Sequence, residues 1–239
     1  MLFPLICFAY NGNVEIFAFG ISFFTSLLQL ARNMQIGILG EHPEARVALV
    51  PETVKKLSEA GNTVLVEKGA GESSFYSNSD FEAAGARIAD KAQVLSEGEL
   101  LLPIHPPAKK DFTRYSGKTL VSSFQPFADA EVSGQLSAAG VTALSLDMIP
   151  RSTLAQSMDI LSSMASIAGY KAVLAAAALL PRYFPMLTTA AGTIPPTKVL
   201  VLGAGVAGLQ AIATAKRLGA VVEAFDTRLA AREEVQSLG

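Results

Sequence analysis

Residues 199–208 read VLVLGAGVAG, an apolar run that ends in a G-x-G-x-x-G motif. The run predicts a buried parallel strand, and a helix-like segment, residues 209–218, follows the glycines. A second apolar run covers residues 220–225 and ends at Asp226. This order of strand, glycine turn, helix, strand and acid is typical of the first half of a doubly wound dinucleotide-binding sheet.

Each glycine of the motif has its own physical role. Gly203 allows the tight turn, Gly205 lets a pyrophosphate approach the backbone, and Gly208 lets the helix pack close to its strand. The helix N-terminus offers N–H groups and the positive end of its dipole to phosphates. A glycine-rich turn that binds nothing is the alternative. The motif predicts a dinucleotide site with these candidate cofactor-binding residues: Gly203, Ala204, Gly205, Val206, Ala207 and Gly208.

The preferred cofactor is predicted from Asp226, which lies 23 positions after Gly203. Its carboxylate can accept a hydrogen bond from the 2′-hydroxyl of an adenosine ribose and would repel a 2′-phosphate. NAD(H) is therefore favoured over NADP(H), although the nearby Arg228 weakens that preference. Asp226, Thr227 and Arg228 complete the candidate cofactor-binding set.

Composition excludes several classes of function. The chain has 239 residues and a formal net charge of −2, whereas nucleic-acid binding requires a basic surface, so no nucleic-acid partner is predicted. Cys7 is the only cysteine, which excludes an internal disulfide and fits a reducing compartment. Two histidines and one distant cysteine predict no metal site, and no serine lies in a G-x-S-x-G motif.

The first 33 residues differ from the rest of the chain. Residues 16–30 are almost entirely apolar, but this run is shorter than the about 20 residues that a membrane-spanning helix needs. No Lys or Arg precedes the run and no A-x-A-like site follows it, as a signal peptide would require. Three interpretations stay open: translation that begins at Met34, a membrane anchor, and a signal peptide.

From Gln35 onward, strand-like and helix-like segments alternate, which predicts parallel sheet. The fold class is α/β, with two Rossmann-like parallel-sheet domains, of which the second is incomplete. Only two strands of that second sheet precede residue 239, so we expect a fragment or one piece of a split protein. The predicted division is an apolar extension, an N-terminal α/β domain, a loop with a connecting helix and linker, and the start of the nucleotide-binding domain: residues 1–33, 34–150, 151–197 and 198–239.

Within the third segment, residues 158–180 predict a long alanine-rich helix that is interrupted near Gly169. Residues 188–197, TTAAGTIPPT, predict a turn-rich linker.

Residues 150–163, PRSTLAQSMDILSS, resemble the mobile loop of proton-translocating nicotinamide nucleotide transhydrogenases. The resemblance continues through IAGY at 167–170, AAGTIPP at 190–196, and from the glycine motif to EEVQSLG at 233–239. It also includes RVA at 46–48 and VEKGAG at 66–71. The chain thus resembles the NAD(H)-binding domain of the alpha subunit, cut off before its C-terminal end.

This resemblance implies hydride transfer between NADH and NADP⁺, coupled to proton movement across a membrane. NAD(H) would be bound by this chain and NADP(H) by a partner domain or beta subunit, with a separate membrane domain as a further partner. The resemblance also implies a homodimer, peripheral to the cytoplasmic face of the inner (plasma) membrane. By the family's pattern, Arg151, Gln156, Asp159 and Ser162 lie around the nicotinamide and its ribose.

The chemistry of three of these residues suits a carboxamide. Arg151 can donate to its oxygen, Asp159 can accept from its NH₂ group, and Gln156 can do both. Hydride transfer requires only that the two rings are held close and correctly oriented. An ordinary first turn of a helix, with a solvated Asp159, is the alternative interpretation.

Two other functions remain open. Alanine dehydrogenases share the architecture, and Arg46 occupies the position of their substrate arginine, but Pro103 stands where they have a lysine. The histidine expected after the next strand is also missing, where the chain reads Ser123-Phe124-Gln125-Pro126. An inactive remnant, or a module that docks to a partner, is the second alternative.

Overall fold

The computed structural model describes residues 5–10, 13–18 and 33–238, in two compact units that divide between Met158 and Asp159. The strands are β1 Leu5–Tyr10, β2 Asn13–Ala18, β3 Gln35–Ile38, β4 Thr63–Glu67, β5 Arg87–Ala89, β6 Leu100–Leu101, β7 Thr119–Ser122, β8 Thr142–Ser145, β9 Leu187–Thr189, β10 Gly192–Ile194, β11 Lys198–Leu202 and β12 Val221–Phe225. The helices are α1 Pro51–Glu59, α2 Asn78–Ala83, α3 Lys91–Glu97, α4 Val132–Ala138, α5 Ile160–Leu179, α6 Val206–Arg217 and α7 Ala231–Ser237.

The first unit contains a six-stranded parallel sheet in the order β5-β4-β3-β6-β7-β8. This is the doubly wound order predicted by the alternating pattern, with its change of direction between β3 and β6. The α/β fold class is therefore confirmed. Strands β1 and β2 form a separate antiparallel hairpin. Most of the apolar run 16–30, and with it the question of an anchor or leader, lies outside the described residues.

Both faces of the six-stranded sheet are covered, as a parallel sheet requires. On β4, Val64 and Val66 join a buried cluster with Val54 of α1 and Phe81 of α2. Leu65, which points the opposite way, belongs to a second cluster, and the other fully buried members of that cluster are Val94, Leu101 and Leu120. The period of two along β4 thus sorts its side chains between two layers of helices.

Local sequence signals set the helix ends in this unit. Pro51 begins α1 without losing a hydrogen bond, because the first N–H of a helix has no intrahelical acceptor. Ser77 caps α2 in a capping box with Asp80. The sequence predicted Asp80 as the cap, but its carboxylate reaches back to the N–H of Ser77 from the third helical position. The helix therefore begins two residues earlier than predicted.

The second unit is built on the pair of parallel strands β11 and β12, with α6 between them in the chain. Val173 of α5, Phe184 and Ala215 of α6 form its buried centre. Leu200, Leu202 and Phe225 of the two strands are 62%, 75% and 61% exposed. Residues 187–194, predicted as linker, form the antiparallel hairpin β9–β10.

The long helix α5 is continuous, so the predicted interruption near Gly169 is wrong. Gly169 is buried, and a Cβ atom there would collide with the backbone of Ala207 in α6. The glycine is therefore explained by close packing of two helices rather than by a break. Among the described residues, α5 is the one helix long and apolar enough to cross a membrane, a test that core helices of soluble proteins also pass.

Candidate functional site

The glycine turn lies between the end of β11 and the start of α6, as the motif predicts. Gly203 adopts φ +93°, a left-handed conformation that favours glycine. A Cβ on Gly208 would collide with the carbonyl oxygen of Gly203, so the third glycine is required for close packing of helix and turn. A Cβ on Gly205 would meet no atom within 4 Å, so the space over the second glycine is open.

The first turn of α6 presents backbone N–H groups to this open space. Gly205 precedes the helix, Val206 is its first residue, and the N–H groups of a first turn have no intrahelical acceptor. The helix has 12 residues, so its dipole adds a positive potential at the same end. Such a terminus can hold an anion such as a phosphate.

Asp226 follows β12 and contacts the glycine turn directly. Its Oδ2 accepts a hydrogen bond from the N–H of Ala204 at 2.7 Å, and its Oδ1 accepts from the N–H of Arg228 at 2.8 Å. The structure therefore brings together the predicted turn and the predicted acid, which the parallel pairing of β11 and β12 places side by side. Thr227, the third candidate in this segment, is exposed.

The Arg228 side chain completes the environment of this carboxylate. Its Nε donates to Oδ1 of Asp226 at 3.1 Å, and its Nη2 donates to Oδ2 at 3.2 Å and to the carbonyl oxygen of Ala204 at 3.3 Å. These guanidinium bonds, followed by the N–H groups of Arg228 and Ala204, hold the pKa of Asp226 well below its usual range. Asp226 is thus a carboxylate anion across the physiological pH range.

The residues predicted to surround a nicotinamide fall in both units. Arg151 and Gln156 are exposed, and Gln156 begins a short 3₁₀ turn, Gln156–Met158. Asp159 caps α5: its Oδ1 accepts from the N–H of Ser162 at 2.9 Å, and its Oδ2 accepts from the Ser162 hydroxyl at 2.6 Å. The structure thus brings Asp159 and Ser162 together, and Asp159 is a helix cap rather than a solvated side chain.

A second candidate site lies in the first unit, where the sheet changes direction. A cavity of about 690 Å³ opens beside the ends of β3 and β6, with Glu41, Glu44, Lys91, His105 and Tyr115 among its lining residues. Ligands of doubly wound sheets commonly bind at such a switch point. The part of the chain that the structure describes contains no group of three or more His, Cys, Asp or Glu residues that could hold a metal.

Charged groups at this cavity are paired with one another. Glu44 accepts hydrogen bonds from Nε and Nη2 of Arg46 at 2.8 and 2.6 Å. These side-chain bonds, with one from the Arg46 N–H, lower the pKa of Glu44 from its ordinary 4.5 to about 2. Glu41 accepts from the N–H groups of Ile104 and His105, and its Oε2 lies 3.1 Å from Nδ1 of His105.

The sequence did not predict this network. His105 was expected to be an exposed loop histidine, and its side chain is 61% exposed, but both of its ring nitrogens face carboxylates. Its nearer partner, Glu41, lies 64 residues away in the chain, so no local pattern links the two. The adjacency of β3 and β6, which are separated in sequence by β4 and β5, brings them together.

Two family models match the chain and together cover almost all of it beyond residue 36. The alanine dehydrogenase/PNT N-terminal domain matches residues 37–168, and the alanine dehydrogenase/PNT C-terminal domain matches residues 172–239.

Similar proteins include transhydrogenases and alanine dehydrogenases. The chain is 46% identical over 203 residues to the first of the separate pieces of NAD(P) transhydrogenase subunit alpha in Rhodospirillum rubrum, an alignment that covers 82% of this chain and 53% of that protein. A crystal structure of transhydrogenase from Sinorhizobium meliloti aligns with a TM-score of 0.81 and 45% identity, over 86% of this chain and 62% of that one. A structure of L-alanine dehydrogenase aligns with a TM-score of 0.71 and 29% identity, over 86% and 58%. The chain therefore spans about half the length of the curated transhydrogenase relative.

Proposed function

The chain belongs to the alanine dehydrogenase/PNT family of oxidoreductases, and on that premise we propose that it is the NAD(H)-binding part of a proton-translocating transhydrogenase. The observation that carries the proposal is the contact between Asp226 and the glycine turn at Ala204, which gathers the phosphate-binding and ribose-binding elements in one place. The proposed reaction is hydride transfer from NADH to NADP⁺, coupled to proton translocation.

The glycine turn fits a dinucleotide. Open space over Gly205 and the N–H groups at the start of α6 suit a pyrophosphate, and the anionic Asp226 suits a ribose hydroxyl. The proposed cofactor-binding residues are those predicted from the motif: Gly203, Ala204, Gly205, Val206, Ala207, Gly208, Asp226, Thr227 and Arg228.

A bound NAD(H) supplies the hydride, so the protein's task is orientation and exclusion of water. We assign the orientation of the nicotinamide carboxamide to Arg151, Gln156, Asp159 and Ser162. Support comes from the Ser162 hydroxyl and N–H, which fix both oxygens of the Asp159 carboxylate at the start of a 20-residue helix. A carboxylate held in this way is oriented before any ligand arrives.

Such a reaction requires partners. We propose a second subunit or domain that binds NADP(H), a membrane domain that conducts protons, and pairing of this chain as a homodimer. The complex would place this chain at the cytoplasmic face of the inner membrane, bound through its partners. The two relatives named as transhydrogenases support this assignment, because one of them is itself a piece of a subunit.

An alanine dehydrogenase activity is the second candidate, and the cavity beside β3 and β6 is the observation in its favour. The charges of this region argue against it. The Arg46 guanidinium, which would have to receive a substrate carboxylate, is held by the Glu44 carboxylate through two hydrogen bonds. Pro103, among the cavity-lining residues, has no side-chain group that could transfer a proton.

Two measurements test the proposal. The full chain is titrated with NADH and separately with NADPH, with nicotinamide fluorescence as the readout, and we expect saturable binding of NADH in preference to NADPH. The chain is then combined with the NADP(H)-binding and membrane domains of a related transhydrogenase, and NADH-dependent reduction of NADP⁺ is followed.

The substitution Gln156→Asn tests the orientation assignment in the same assay. It shortens the side chain but keeps the amide, so we expect a slower transfer rate with little change in NADH affinity. Binding without transfer would indicate a docking module, absence of binding in a folded chain would indicate an inactive remnant, and oxidation of alanine with NAD⁺ would establish the second candidate.

A further inference from the structure

The Asp226 carboxylate has its acceptor positions filled by the protein itself. A carboxylate offers about four lone-pair positions. Oδ1 accepts from the N–H and Nε of Arg228, and Oδ2 accepts from the N–H of Ala204 and Nη2 of Arg228. A ribose hydroxyl that donates to this carboxylate must therefore displace one of these four donors.

The four donors differ in how easily they can leave. The two backbone N–H groups are fixed, because Gly203, next to Ala204, donates to the carbonyl oxygen of Phe225 at 2.7 Å and so ties the two strand ends together. The two guanidinium donors belong to a side chain that is 57% exposed. An exposed ion pair contributes little net stability, so the Arg228 side chain is the donor group that can move away.

We propose that Arg228 sets the cofactor preference of this site, because it competes with the ribose of NADH for Asp226 and offsets the repulsion of the 2′-phosphate of NADPH. The inference rests on the proposed function, in which NADH binds beside Asp226. In the absence of nucleotide the guanidinium covers the carboxylate. When it is displaced it stays two residues from Asp226, and its positive charge attracts an anion that the carboxylate alone would repel.

The test is a comparison of NADH and NADPH affinities for the full chain and three variants. Arg228→Gln removes the charge and the fork of donors, while Arg228→Lys keeps the charge but not the fork. Arg217→Gln, at the exposed end of α6, is the matched control for loss of one positive charge in the same unit.

We expect Arg228→Gln to bind NADH about two- to fivefold more tightly, the range for removal of a competing exposed ion pair, and to bind NADPH more weakly. Arg228→Lys should gain NADH affinity while losing less NADPH affinity than Arg228→Gln. The ratio of the two affinities should stay unchanged in Arg217→Gln. A change of fold alone would weaken both nucleotides together, so this ratio separates selectivity from damage to the site.

The opposite result is equally clear. If Arg228→Gln and Arg228→Lys both weaken NADH binding, Arg228 is a direct ligand and the inference is wrong. If neither variant changes the ratio, Arg228 has no part in selectivity and the inference is also wrong. Wild-type protein that binds neither nucleotide would instead overturn the proposed function.

Discussion

Gly169→Ala tests the packing that holds the nucleotide turn in place. An added Cβ would lie 2.9 Å from the carbonyl carbon of Ala207 and closer still to its oxygen. Both are backbone atoms and cannot rotate away. To reach the 3.4 Å of ordinary contact with the carbon alone, α5 and α6 must separate by about 0.5 Å, and the oxygen requires more.

Two opposing effects set the size of the change. Alanine favours a helix over glycine by about 1 kcal/mol, whereas overpacking against fixed neighbours costs about 1–3 kcal/mol. Because the contact is with backbone, we place the cost near the upper end and expect a net loss of about 1–2 kcal/mol. Ala207 also lies in the first turn of α6, so the same displacement moves the N–H groups proposed to bind phosphate, and NADH affinity should fall.

The matched control is Gly134→Ala, because Gly134 also lies inside a helix but a Cβ there would meet no atom within 4 Å. This variant should gain about 0.5–1 kcal/mol from helix propensity and bind NADH as the wild type does. Urea unfolding followed by circular dichroism gives the stabilities, and NADH fluorescence gives the affinities. If Gly169→Ala unfolds at the wild-type urea concentration or above, the packing explanation for this glycine is wrong.

Three further changes have definite expected results. Asp226→Ala should weaken NADH binding about tenfold, the order expected for loss of a hydrogen bond to a charged group, and equal affinities by calorimetry would place the ribose elsewhere. Gly205→Val should abolish NADH binding while leaving the fold intact by circular dichroism, because its side chain enters the open space over the turn; retained affinity would exclude this turn as the phosphate site. Glu44 has a pKa lowered from 4.5 to about 2, so its stabilising contribution is complete above pH 4.5 and is lost as the pH falls toward 2. Glu44→Gln should therefore lower stability at pH 7 by about 1 kcal/mol and flatten its dependence across that window, and an unchanged acid-unfolding curve would contradict the pairing with Arg46.

The sequence predicts well the elements whose signals are local. The strand before Gly203, the helix after it and the strand that ends at Asp226 are found within three residues of their predicted positions. Glycine chemistry and hydrophobic runs determine these elements, and both can be read within a short window. The predicted involvement of Asp159 and Ser162 in one helix start is likewise a matter of three residues' spacing.

Errors occur where the structure depends on distant partners. Gly169 reads as a helix break because glycine is a poor helix former, and only the neighbouring Ala207 in space explains why α5 continues through it. The hairpin at 187–194 was missed because its strands have three residues each, too few for a clear alternating pattern. The strand β6 was predicted to reach Ile104 but ends at Leu101, before Pro103, which has no N–H to donate to a sheet.

The ladder between β11 and β12 ends with the pair Leu202 and Phe225, so residues 226–228 lie beyond the last paired position. Position 226 still serves the fold, because its carboxylate accepts the N–H of the fully buried Ala204, and a residue without an acceptor there would leave that group unsatisfied. The side chain at position 228 is mostly exposed and no strand hydrogen bond depends on it. In a diverging lineage, substitutions at 228 can retune which nucleotide is accepted at little structural cost, whereas substitutions at 226 alter selectivity and folding together.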